Sequence, residues 1–128
     1  MFPGLFSCDL FVLAGNNVGH PRMLAEWLET SPVPVVYILG NHEYYGDSFN
    51  KTPEHFRTAL KKLSHVHLPD MDTITIHGVK FIGATLWTDF DKRNRLAMET
   101  ARRSINDFRK IEGCTVNTML DKHEIERA

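Results

Sequence analysis

The spacing of apolar positions changes several times along the chain, and each spacing predicts a different element. Leu10-Phe11-Val12-Leu13-Ala14 and Val35-Val36-Tyr37-Ile38-Leu39 are short continuous apolar runs that each end at a glycine. Between them Met23, Leu24, Trp27 and Leu28 recur on one helical face, which predicts a helix from about Pro21 to Glu29. A strand, a helix and a second strand, with both strands apolar throughout, read as a βαβ unit of a buried parallel sheet. The two strands should then be parallel neighbours.

Further on, Thr52-Pro53 predicts a helix start, continued by Phe56, Leu60 and Leu63. Alternation over Thr73–His77, a break at Gly78 and a second run over Val79–Leu86 predict a β-hairpin. Met98, Ala101, Ile105 and Phe108 form an apolar stripe, so one amphipathic helix is expected from about Arg93 to Lys110. Thr118, with Asp121 three residues on, predicts the start of a last helix. The fold class is α/β.

Composition narrows the function classes. The chain has 128 residues, 42% hydrophobic and 24% charged, as expected of one ordinary globular domain. No apolar run approaches the ~20 residues that span a membrane, and the opening residues lack the pattern of a secretory signal. Cys8 and Cys114 are far apart and in no C-x-x-C pattern, which predicts free thiols and a reducing cytoplasm. Net charge is −4 over residues 1–50 and +3 over 51–128. The positive stretch from Lys92 to Lys110 is diluted by Glu99 and Asp107, so no nucleic-acid partner is expected.

Ligands of open α/β sheets bind beyond the carboxyl ends of the parallel strands. Gly15-Asn16-Asn17 and Gly40-Asn41-His42-Glu43 both fall there and should be neighbours in space. At these residues the chain resembles the calcineurin-like metallophosphoesterases. VLAGNN stands where that family has a strand followed by Gly-Asp, and ILGNHE carries its Gly-Asn-His-Asp/Glu motif unaltered. The similarity extends to a bacterial branch with GNHEYYG, a hairpin leading to GATLWTDF, and a later NDFRKI.

The resemblance implies an incomplete metallophosphoesterase-like sandwich, with a parallel βαβ core, a β-hairpin and amphipathic helices. Residues 1–128 would form a single partial domain, truncated at both ends. It implies two divalent metals (Mn, Fe, Zn or similar) and hydrolysis of a phosphoester substrate. Two such metals clamp the attacking and leaving oxygens and lower the pKa of a bridging water. Asn41 would bind one metal through its amide oxygen, and Asn16 stands at the position of the family's bridging carboxylate. His42 would face the scissile phosphate as the catalytic group, a histidine being able to supply a proton near neutral pH. Tyr44, Tyr45, Trp87 and Asp89 are the candidates for lining the substrate side. Asn106 and Asp107 either border that pocket or cap a helix.

The departures shape the expectation of activity. Asn16 offers one neutral oxygen where an aspartate offers two and a full charge. The family's Asp-x-His and its later metal histidines have no counterpart in the chain. His65-Val66-His67 would face one way on a strand, yet Ser64 replaces the glycine of the family's Gly-His-x-His, so this pair reads as structural. Gly15 and Gly19 lack the spacing of a nucleotide loop. The expectation is therefore a phosphoesterase that is impaired or incomplete. The alternatives are an inactive binding or regulatory module, or one part of a split or oligomeric enzyme completed by a second copy or another chain.

Overall fold

The computed structural model describes residues 7–17 and 20–128. Gly19 of the Gly15/Gly19 pair lies outside the described residues. β1 (Phe11–Ala14), α1 (Pro21–Leu28) and β2 (Val35–Ile38) form the expected βαβ unit, with Phe11 opposite Val35 and Ala14 opposite Ile38 in a parallel pair. β3 (Val66–His67) adds to the other side of β2, also in parallel, so the order is β1-β2-β3. The central position of β2 explains its apolar sequence, since Val35, Val36 and Tyr37 are all enclosed. Among the described residues β1 is the outer strand of this sheet, and its Val12 is 52% exposed.

α2 (Thr52–Leu60) packs beside α1. Leu24, Leu28, Phe56 and Leu60 are buried in one core with Tyr37, whose ring stacks on Phe56 at 6.2 Å. The helix begins with Thr52 as its first residue, and the Thr52 hydroxyl donates back to the Ser48 carbonyl instead of capping the turn. His65 lies with Nε2 3.0 Å from the Leu28 carbonyl and fastens the start of β3 to the end of α1.

β4 (Asp72–Ile76) and β5 (Val79–Gly83) make a separate antiparallel pair. Their two-residue connection, His77-Gly78, is left-handed at both positions (φ 50° and 78°), which matches the twist of the flanking strands. β5 stops at Gly83, three residues short of the expected end. There the backbone lies so close to Pro69 that an added Cβ would sit 2.5 Å from its carbonyl oxygen.

The expected single helix over 93–110 is two. α4 (Arg95–Ser104) is capped by Asn94, whose side chain accepts from the Leu96 and Ala97 amides. Ile105 then turns extended (φ −87°, ψ 127°), and α5 (Asp107–Lys110) restarts in another direction. The apolar stripe survives the break, because Met98, Ala101, Ile105 and Phe108 all pack on the core. The last helix, α6 (Val116–Arg127), starts earlier than expected. Thr115 and Thr118 satisfy each other's amides, so Thr118 serves as the third residue of the cap and not as its first.

Between β5 and α4 the chain is strained. Leu86 has φ 63°, and α3 (Phe90–Arg93) is a single turn in which all four residues have φ between 53° and 64°. Left-handed backbone costs about 1–2 kcal/mol per non-glycine residue, so other contacts must hold this segment. α6 supplies them. Glu126 accepts from the Leu86 and Trp87 amides, His123 Nδ1 lies 2.7 Å from the Trp87 carbonyl, and Glu124 pairs with Arg93. Phe90 is buried and stacks with Phe108. Lys92 is exposed and left-handed (φ 56°). Lys92→Gly should therefore raise stability by about 1 kcal/mol, read as a higher urea midpoint. An unchanged or lower midpoint would show that the turn carries no strain there.

Candidate functional site

The two loops beyond β1 and β2 meet, as their strand pairing requires. They meet as bare backbone. A Cβ on Gly15 would lie 2.5 Å from the Gly40 nitrogen, and a Cβ on Gly40 would lie 2.2 Å from Asn16 Oδ1. Gly15 is also left-handed (φ 80°), so only glycine fits both the dihedral and the space. Asn16 follows in the same left-handed region (φ 56°), which asparagine tolerates better than most residues.

Glu43 locks this contact. It is 2% exposed and sits in the 3₁₀ turn Asn41–Tyr44. Oε2 accepts from the amides of Asn16 (2.9 Å) and Gly40 (2.7 Å). Oε1 accepts from the Asn17 amide and the Tyr37 hydroxyl, both at 2.9 Å. Four donors from three segments thus converge on one carboxylate. Asn16 answers in the other direction, its Oδ1 accepting from the His42 amide at 3.2 Å. The last residue of the quoted motif is a brace between the loops, a role that its type alone did not reveal.

The remaining motif residues are divided between surface and core. His42 is exposed, with its ring 4.7 Å from that of Tyr45. Asn41 turns its Nδ2 to Asp107 Oδ1 at 2.8 Å, and the Tyr45 hydroxyl donates to the same oxygen at 2.7 Å. Asp107 is 5% exposed, whereas its neighbour Asn106 is exposed. Tyr44 is 3% exposed and packs edge-on against Trp87 and beside Phe49. Trp87 is buried too, but it borders a cleft of about 440 Å³ together with Asn16, Asn41 and Asp107. Ile82 and Leu86 form the exposed apolar rim of that cleft. Asp89 is half-buried at the entry to α3 and does not line it. His20 is exposed at the start of α1.

The fit of a two-metal centre follows from these partners. Among the described residues no three His, Cys, Asp or Glu side chains converge where a metal ion could sit. Glu43 is spent on four hydrogen bonds, and Asn16 and Asn41 bring neutral amides. Two dications held close together need carboxylate charge between them, and this donor set does not supply it. The described residues alone do not fit a dinuclear centre.

Two tests follow from the buried groups. Glu43→Gln places an NH₂ where donors already point, and hydrogen bonds to a charged group contribute about 1.5–3 kcal/mol each. A loss of roughly 3 kcal/mol or more is expected in urea unfolding, and a loss under 1 kcal/mol would refute the brace. Separately, burial pushes the Tyr44 phenol up to about 12, and burial with the Asp107 carboxylate does the same for Tyr45. The folded chain then keeps protons that the unfolded chain releases above pH 10. Stability should be fully present below pH 10 and decline as pH rises from 10 to about 12, seen in urea midpoints across that range.

Comparison with known proteins agrees with the motif. A family profile described as calcineurin-like phosphoesterase matches residues 4–117. No curated protein and no solved structure matches the chain. The matched stretch takes in both loops, the 3₁₀ turn, the cleft wall and Asp107, and on that extent the chain belongs to the calcineurin-like phosphoesterase family.

Proposed function

We propose that this chain provides one side of a metal-dependent phosphoester-hydrolysing site, which donors beyond the described residues must complete. The observation that carries this reading is the Asn41-His42 turn, set rigidly at the mouth of the cleft by Glu43 and the Asn16 loop. Asn41 would offer an oxygen to one cation. His42, exposed beside the cleft, would meet the phosphoester and supply a proton. Tyr45, packed against His42 and held by Asp107, would limit the imidazole's freedom on one side. The completing carboxylates and histidines would come from another chain or another segment.

The competing reading is a binding module that keeps the fold without hydrolysis, and the neutral amide of Asn16 favours it. The two are separated by the metal content of purified protein. Turnover near background is expected from the chain alone under either reading. Asn16→Asp distinguishes them, because a carboxylate at 16 can keep the His42 amide bond and add charge toward a cation. Losses even around a metal's ligands typically change affinity about 10- to 100-fold. Mn²⁺ should bind the Asp variant at least about tenfold more tightly by calorimetry, with turnover still low. Equal affinities would show that position 16 is not where metal chemistry was lost.

A further inference from the structure

We infer that Asp107 is a positioning residue that fixes the Asn41 amide with its nitrogen inward, so that the cleft presents an oxygen acceptor at this point. The inference deepens the reading just given and rests on it for its functional meaning. Asp107 is reached from the other half of the chain, 66 residues away from Asn41. The break at Ile105 is what brings it there, since a continuous helix through 93–110 would carry the carboxylate elsewhere.

The orientation follows from chemistry. A carboxylate only accepts hydrogen bonds, so the amide end that faces it must be the NH₂. Tyr45 reinforces the choice. Its hydroxyl gives its own proton to Asp107 Oδ1 and is left as an acceptor 3.4 Å from Asn41 Nδ2. Both partners of the nitrogen are therefore acceptors. No donor among the described residues reaches Asn41 Oδ1. The one enclosed side-chain atom without a partner among those residues is His123 Nε2, so Asn41 Oδ1 stays open to solvent in the cleft.

This polarity selects ligands. An open amide oxygen attracts a cation or a protonated group and repels the oxygens of a bare phosphate. The amides of Asn16, Asn17 and Gly40 are taken by Glu43 and that of His42 by Asn16, so these four do not turn to a phosphate.

Side-chain NH₂ signals of the ¹⁵N-labelled chain test the assignment. In the native chain the Asn41 NH₂ protons should exchange with water at least about tenfold more slowly than those of the exposed Asn106, the size expected for a charge-assisted bond. Inorganic phosphate alone should leave them unshifted, and Mn²⁺ alone should broaden them. Asp107→Ala, which removes the acceptor, should abolish the protection, let phosphate shift the signals and weaken the Mn²⁺ broadening. Tyr45→Phe, which leaves Asp107 facing Asn41, should keep the protection. A native chain whose Asn41 signals exchange freely or shift with phosphate overturns the inference, whether or not the variant folds. Unchanged signals in Asp107→Ala overturn it as well. Absence of any Mn²⁺ effect, with protection intact and lost on substitution, would instead refute the metal-dependent reading and leave the orienting role of Asp107 standing.

Discussion

The structure depends on one buried carboxylate. Glu43 gathers the amides of two loops and a core hydroxyl, and it does so where two parallel strands end side by side. Backbone groups at a strand's carboxyl end have lost their ladder partners, and burying them unpaired would cost more than most side chains can offset. Glu43 satisfies three of those amides at once. In doing so it gives up the role that an acidic residue in such a motif suggests on first sight. The acid holds the loops, while His42 lies exposed and Asn41 reaches across to Asp107.

Rigidity in the first half meets strain in the second. The wall of the cleft opposite Asn41 runs through Leu86 and Trp87 into a left-handed turn that few sequences would adopt unaided. α6 stabilises it from behind with Glu126, His123 and Glu124, so the cleft is shaped by a helix that never enters it. Phe90, buried against Phe108, anchors the same segment to α5, the helix that delivers Asp107. The two sides of the cleft are thereby tied through the core as well as across it.

How much of this was legible in the sequence differs by element. The βαβ unit was, because a central strand buried on both faces must be apolar throughout, and Val35–Leu39 is. The hairpin was, because Gly78 breaks the alternation of Thr73–His77 before a second apolar run. The break at Ile105 was not, since the apolar stripe continues across it and periodicity sees only the stripe. The left-handed turn at Phe90–Arg93 carries no glycine and so gave no signal at all. At the site, the motif pointed to Asn41 and His42 through family resemblance. The brace of Glu43 and the reach of Asp107 are long-range contacts that no local pattern encodes. Tyr44 and Tyr45 show the limit well: adjacent and identical, one is core and the other faces Asp107, a division set by the 3₁₀ turn.

The contact between Gly15 and Gly40 has a consequence for how this chain can vary. Gly15 is required by the Gly40 backbone and Gly40 by the Asn16 that follows Gly15, so a side chain at either position inflicts the same injury, the parting of two strand ends. Once one is substituted and the loops have separated, the second no longer guards anything. Effects of residues in direct contact do not add. The two positions, 25 residues apart in the sequence, amount to a single inherited choice.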